Sequence, residues 1–549
     1  MRNVKVAGRS YQIDEEMTYD ELRAEIGLPD TIMLAESNYQ LRELNQKISD
    51  GDDITFMDIY YAPAYRTYMR SANLLFYTAI YDLLGNQGVN QVILRHNLEN
   101  AFYYEYALED CPLTCEMVAK IESCMRDMVE KDLPIRKFSM STDQAINYFK
   151  ETGREDKVKL FKYRRNSRTN VYQIGAYMDY YYGYMVPNTG RIKNFSIKKE
   201  DKYIVMTLPK KFTLEDVNDI KPQPKLLNVL DLSKRWSKTL EVAYVGDINN
   251  KITNGDIHEL VLIQEALQEN FLSRIADRII EGDKQIVLIA GPSSSGKTTF
   301  SNRLSIQLKI HGLHPHPIAL DDFFVDREKC PKLPNGEYDF ESIECENIEL
   351  FQECMNGLLS GEEVVMPYYD FIEGKSMRHS KPLKIGPKDV LIIEGIHGLN
   401  PKMSAMLPEE SIYKIYVSAL SMLSIDLHNQ IQSTDGRLLR RIVRDARLRG
   451  HDARGTIKRW PSVLDGEEAN ILPYQEEADV MYNSSQVYEL AVLKQYVEPL
   501  LFAIPRNCPE HKEAKRLLKF LDYFLNIDDN DIPMHSIVRE FIGGGCFKV

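Results

Sequence analysis

The spacing of apolar and polar positions changes several times along the chain, and each change marks an element. Apolar residues alternate over 4–8 and 10–13, switch to helical spacing over 18–27, and return as short strand-like runs at 32–35, 39–44 and 53–57. Thr18 followed by Glu21 has the form of a capping box, and Gly51 with Asp52 predicts a turn before the last of these runs. The order ββαββ predicts a β-grasp unit over residues 1–60. From 61 to 211 a helical pattern at 69–84 joins strand-like runs at 91–94, 101–106, 173–184 and 203–208, an α+β arrangement rich in tyrosine. Residues 212–283 read as a connector, weakly periodic over 212–250 around KPQPK. It is followed by an amphipathic helix at 256–281 with Leu260, Ile263, Leu267, Phe271, Ile275 and Ile279 close to one stripe.

From 284 to 505, short β-branched runs alternate with helical patterns, which predicts a parallel sheet covered on both faces by helices. A helix at 508–526, an acidic loop and a glycine-rich end make up 506–549. The apolar runs, such as 286–290, fall far short of the ~20 residues that cross a bilayer, and the first residues lack the apolar core of a secretory signal. A cytoplasmic protein that does not engage a membrane is expected. The eight cysteines include a C-x3-C but no C-x-x-C pair, which fits reduced thiols better than a metal finger.

The net charge of -13 opposes a general nucleic-acid coat, and residues 1–60 hold 6 Lys/Arg against 13 Asp/Glu. One stretch runs the other way: between Arg437 and Arg459 nine Lys/Arg face only Asp445 and Asp452. Arg437, Arg440, Arg441 and Arg444 recur at three- and four-residue spacing, so one helix face would present guanidinium groups to a triphosphate; nucleic acid is the competing ligand.

That triphosphate is suggested by GPSSSGKTTF. Gly291, four residues, then Gly296, Lys297 and Thr298 make a complete P-loop between the strand at 286–290 and a helix at 298–310. Glycines let backbone N–H groups converge on phosphate, the helix N-terminus adds partial positive charge, Lys297 neutralises the β- and γ-phosphates, and the Thr298 hydroxyl ligates Mg2+. The loop residues Gly291, Ser293, Ser294, Ser295, Gly296, Lys297, Thr298 and Thr299 are the candidate ATP-binding set. A strand at 317–320, expected next to the loop strand, delivers Asp321 and Asp322, which either take a hydroxyl proton or cap the next helix. The strand at 390–393 ends in Glu394, a second candidate Mg2+ group.

Taken in order, GPSSSGKTTF, LDDFF, GEYDFES, MPYYDF, LIIEGI and RRIVRDARLRG resemble the uridine kinase and phosphoribulokinase family over residues 284–485. The resemblance implies an α/β P-loop kinase domain acting with ATP and Mg2+ on a small-molecule nucleoside. In it Asp321 is general base on the 5'-hydroxyl, Lys297 and Arg441 serve transfer, and Arg441 and Arg449 contact ATP phosphates. On the substrate side it implies Glu341 and Arg444 at the ribose hydroxyls, Tyr369 near the base, and His451 where the family usually carries Arg. Ile372, Glu373 and Gly374 stand where the family has a base-reading His, so the acceptor is open, with a sugar phosphate or pantothenate as alternatives. Homo-oligomers are common in such kinases.

The front half resembles the TGS domain and the second additional domain of threonyl-tRNA synthetases, through NLENAFYYEY at 97–106 and IGAYMDYYYGYMVPNTGRI at 174–192. Where editing synthetases supply metal ligands from H-x3-H and C-x3-H, this chain has Met69 with Asn73 and Tyr181 with Met185. The resemblance then implies an editing-like fold without editing chemistry, kept for binding or assembly. RNA contact through this half, with the P-loop as an ATP switch, is the alternative function.

Overall fold

The structure, a computed structural model, describes residues 1–548 apart from 99, 109–110, 211–216, 218–220, 334–335 and 371. Phe371 of MPYYDF and the start of the expected connector lie outside the described residues.

At the front, strands Arg2–Val6, Arg9–Ile13, Ile32–Ser37, Gln40–Arg42 and Asp53–Asp58 form one five-stranded sheet around helix Tyr19–Glu25. The first and last strands pair in parallel, Lys5 opposite Asp53, as a β-grasp requires. The helix starts where the capping box places it, with Thr18 and Glu21 each bonding the other's backbone.

Helix Ala62–Gln91 is longer than its apolar pattern, and Gly85, at φ 63°, kinks it. It packs on the four-stranded antiparallel sheet formed by Val92–Leu98, Ala101–Tyr106, Ser196–Glu200 and Tyr203–Thr207. A second sheet holds Arg136–Ser141, Arg168–Ile174 and Tyr177–Tyr180, so the run at 173–184 is a hairpin turning at Gly175 and not one strand. Helices Cys115–Glu130, Thr142–Glu151 and Glu155–Lys162 fill stretches where no element was expected.

The weakly periodic region also differs from expectation. Pro224 opens helix Pro224–Leu240, and Val245–Asn254 follows, both buried against the core of the last region. Pro is well placed in a first helical turn, where its missing N–H costs nothing, so KPQPK starts a helix and does not exclude one.

The C-terminal half is built on five parallel strands in the order His314–Ala319, Asp389–Glu394, Ile286–Ala290, Ile412–Ser418 and Val480–Asn483. Successive residues of the central strand alternate between two cores: Val287 and Ile289 face one, Ile286 and Leu288 the other. Both faces are therefore covered, as the near-continuous apolar strands demand. One expectation is corrected here. The strand leading to Asp321 does not pair with the loop strand, because Asp389–Glu394 lies between them. All eight cysteines are free thiols. Among the described residues no helix is long and apolar enough to cross a membrane.

Candidate phosphate-binding site

The central strand Ile286–Ala290 runs into a tight loop and out through helix Lys297–Ile310. Gly291 approaches the neighbouring strand so closely that a Cβ there would sit 1.9 Å from the Val417 carbonyl oxygen. Ser294 and Gly296 take φ of 61° and 86°, the left-handed turns that aim successive amides inward as an anion nest. The buried Ser294 and Ser295 hydroxyls find no partner in the protein. Lys297 curls over the loop, its ammonium donating to the carbonyls of Gly291 (3.0 Å) and Pro292 (3.4 Å).

Thr298 and Glu394 meet across the two strands: the hydroxyl donates to the carboxylate at 2.8 Å. Burial, with the charge of Asp321 adding to it, pushes the Glu394 carboxyl up to about 7 against the pull of Lys297. The next threonine faces elsewhere. Thr299 gives both its backbone N–H (3.2 Å) and its hydroxyl (2.8 Å) to one oxygen of Glu540, far along the chain.

Asp321 lies in the 3-10 turn Leu320–Phe323 beyond strand His314–Ala319. Its charge is felt by Glu341, Glu346 and Glu394, which places four carboxyls on one side of the loop. Glu341 is held by helix Ala453–Asn470: a Cβ on Gly466 would stand 2.4 Å from the Glu341 Cβ, and Asn470 donates to the Glu341 carbonyl. Burial raises the Glu341 carboxyl to about 7, opposed by the nearby Arg441. Tyr369 is buried edge-on to Phe324, ring centroids 5.6 Å apart, and its N–H reaches Asp322. Sequence reasoning missed Glu346, which is buried with neither oxygen bonded to the protein. An acid at that position of GEYDFESIECE was the available signal.

The arginine segment divides in two. Helix Ser433–Arg444 is followed by a π-helical turn at Asp445–Arg449. Arg437 and Arg440, expected to face phosphate, are instead buried behind the loop. Arg437 forms a two-pronged pair with Glu467 (2.5 and 2.7 Å) and donates to the Ser293 carbonyl. Arg440 pairs with Glu489 and donates to the Ser294 carbonyl. Acids on two later helices decide this, since a buried guanidinium needs a counter-charge. Arg441, Arg444 and Arg449 gather around the single carboxylate of Asp445, and Arg441 also donates to the Ser293 hydroxyl at 2.8 Å. His451 is exposed just past Gly450.

The loop nest, the unpartnered hydroxyls, Lys297 and the Thr298–Glu394 pair suit a magnesium nucleotide. Among the described residues, at this site or any other, no group of three or more His, Cys, Asp or Glu is arranged to hold a metal ion.

The hairpin Ser424–Asp426 with Asn429–Gln430 is one place where the front half meets the C-terminal half; the pairs Arg66 with Glu513, Glu36 with Lys512 and Tyr180 with Tyr523 join them elsewhere. His428 at the hairpin's tip is buried, bonds Asp179 at 2.6 Å and the Val89 carbonyl at 3.1 Å, and stacks on Tyr77. Asn73 donates to the His428 carbonyl and accepts from Tyr104, so its amide is committed; Ser71 donates to the Met185 sulfur. Met69 and Tyr181 are buried in the same core.

A parallel sheet in this strand order, with a phosphate loop after its central strand and a threonine–carboxylate pair beside it, is a P-loop fold of the kinase type. Residues 286–491 match the phosphoribulokinase / uridine kinase family. This region is similar to uridine kinase-like protein 5 of Arabidopsis thaliana, 31% identical over 36% of this chain and 38% of that protein. The N-terminal region is similar to threonine–tRNA ligases, among them that of Syntrophotalea carbinolica, 29% identical over 35% of this chain and 30% of the ligase. The chain thus spans less than two-fifths of the length of either curated relative. Among solved structures, D-glycerate 3-kinase from Cryptococcus neoformans is 15% identical, covering 48% of this chain and 90% of its own, with a TM-score of 0.22.

Proposed function

We propose that the C-terminal half transfers the γ-phosphoryl group of ATP to the hydroxyl of a small acceptor, a nucleoside of the uridine or cytidine type. The observation that carries this reading is the Thr298–Glu394 hydrogen bond at the mouth of the loop, with Asp321 one strand further along. Thr298 and Glu394 would hold Mg2+, which when bound neutralises charge on the β- and γ-phosphates. Lys297 leaves the Gly291 carbonyl for phosphate oxygens. Arg441 and Arg449 exchange Asp445 for the same oxygens, a swap of one anion for another that keeps both guanidinium groups paired. Asp321 takes the acceptor's hydroxyl proton as the new P–O bond forms and the bond from the γ-phosphorus to the β–γ bridging oxygen breaks, with ADP as the leaving group. Glu341 and Arg444 orient neighbouring hydroxyls, and Tyr369 with Phe324 offers an aromatic wall.

The test is Asp321→Asn in the full chain, with ATP and a panel of uridine, cytidine, other nucleosides and sugar phosphates. ATP binding is expected to persist, and transfer to the acceptor to fall by 10²-fold or more. Transfer at the parent rate in Asp321→Asn would remove Asp321 from the mechanism. Turnover of a sugar phosphate and of no nucleoside would change the acceptor.

A second reading, an RNA-associated ATP switch, draws on the front half's similarity to threonine–tRNA ligases. The acidity of residues 1–60 and the hairpin seated against Asn73 weigh against it. A tRNA filter-binding titration at several salt concentrations decides: saturable, salt-sensitive binding near micromolar favours the switch.

A further inference from the structure

The residue held by Thr299 lies outside the family-matched stretch and outside every role assigned above. Glu540 sits in the short helix Val538–Ile542, is 7% exposed, and accepts from the Thr299 N–H and hydroxyl. Thr299 is the third residue of the loop helix, whose first amides have no partner within the helix and cradle phosphate in a P-loop. Gly296, the N-cap of that helix, supplies no side-chain cap of its own. A side-chain carboxylate from the far end of the chain therefore stands where the helix dipole and amides favour a phosphate oxygen.

The rest of the segment fixes that placement. Ile537 packs on Gly296, where a Cβ would meet its methyl at 2.7 Å. Arg447, from the arginine turn, donates to the carbonyls of Glu540 (2.7 Å) and Phe541 (3.1 Å). The Phe541 ring lies under the Arg440 guanidinium, 4.9 Å away, and Arg440 also donates to the Ser294 carbonyl of the loop. Ile537, Val538, Phe541 and Ile542 are buried in the same core as the loop helix, so the segment is a wall of the site and not a loose tail.

A backbone N–H donates one strong hydrogen bond, and two anions cannot share it in a half-buried site without strong repulsion. Resting on the reading of the loop as a nucleotide site, we propose that Glu540 is a built-in competitor for phosphate: its carboxylate occupies one phosphate subsite, and a triphosphate enters only by displacing it from Thr299. The wall can stay in place while this happens, because only the side chain must swing away. The site is thereby held partly closed at rest, and anything that draws Arg447 off the Glu540 and Phe541 carbonyls loosens it.

The experiment measures binding of ATP, and separately of inorganic tripolyphosphate, to the full-length protein by titration calorimetry. The proteins compared are the parent, Glu540→Gln and Glu540→Ala, with melting curves to confirm that each variant is folded. Glu540→Gln keeps the size and an acceptor oxygen for Thr299 while removing the charge. Both variants are expected to bind both ligands at least tenfold more tightly than the parent. Because tripolyphosphate lacks base and ribose, an equal gain for it locates the effect at the phosphates. Should Glu540→Ala fail to fold, Glu540→Asp, one methylene shorter and unable to reach both Thr299 donors, serves in its place and is expected to bind more tightly than the parent. Affinities equal within twofold, or weaker binding in Glu540→Gln, overturn the competitor. Absence of binding in the parent and all variants instead overturns the nucleotide reading of the loop, and the competitor with it.

Discussion

Replacing Glu467 with alanine tests whether the buried arginines brace the phosphate loop. The Arg437 and Glu467 side chains are 7% and 3% exposed and meet through two charged hydrogen bonds. The same carboxylate accepts the Ser293 N–H at 3.1 Å, while Arg437 donates to the Ser293 carbonyl at 3.2 Å, so one pair grips the loop backbone on both sides of Ser293. Removing one partner of a buried pair leaves the other charge uncompensated, at a cost of about 3–5 kcal/mol. For a folding unit of 150–250 residues that is roughly 6–20 °C in melting temperature. The chain has only two tryptophans. Trp460 lies beneath the Arg437 guanidinium, 5.4 Å from it, so its fluorescence reports the pair directly once Trp236 is changed to phenylalanine. Urea melts of Glu467→Ala and of Arg437→Met/Glu467→Leu in that background complete the test. The double variant removes both charges and is expected to recover most of the loss. A single variant within about 1 kcal/mol of the parent, or a double variant as unstable as the single, would refute the bracing role.

Two further predictions concern charge and docking. Burial raises the Glu341 carboxyl from its ordinary range to about 7, so the folded protein keeps a proton that the unfolded chain loses near 4.5. Its contribution to stability is complete below that pH and is lost as pH rises through about 7, by at most ~3 kcal/mol. Glu341→Gln should therefore match the parent at pH 4 and be the more stable protein at pH 8 in denaturant melts; a pH-independent difference would contradict the sign. His428→Ala removes the bonds to Asp179 and the Val89 carbonyl and the stack on Tyr77. A loss of about 2–4 kcal/mol is expected, seen as faster proteolysis between the front and back halves. Unchanged cleavage would show that the hairpin does not hold them together.

Much of this architecture could be read from local pattern because its causes are local. The capping box at Thr18, the left-handed glycine turns and the strand–loop–helix around Lys297 are each set by a few neighbouring residues. Where expectation failed, the deciding partner was distant. The stretch around Pro224 is weakly periodic, and its helix gains a buried face only from the core of the last region. The unexpected helices of the second region find their buried faces at a distance: Cys115–Glu130 shares a core with Tyr203–Thr207, and Glu155–Lys162 with Val245–Asn254.

For the site, the sequence alone determined the chemistry on offer: a phosphate loop, a threonine for a cation, carboxylates at strand ends and a cluster of arginines. It could not rank four arginines at helical spacing, since spacing sets the face a residue occupies and not what that face meets. Tertiary structure sent Arg437 and Arg440 to Glu467 and Glu489 and left Arg441, Arg444 and Arg449 around Asp445. It inserted a strand between the loop and Asp321, and it brought Glu540 across 241 residues to Thr299. The physical reason is the same in each case. Burying a charge or an amide is tolerated only beside its partner, and partners are chosen in space after the chain has folded.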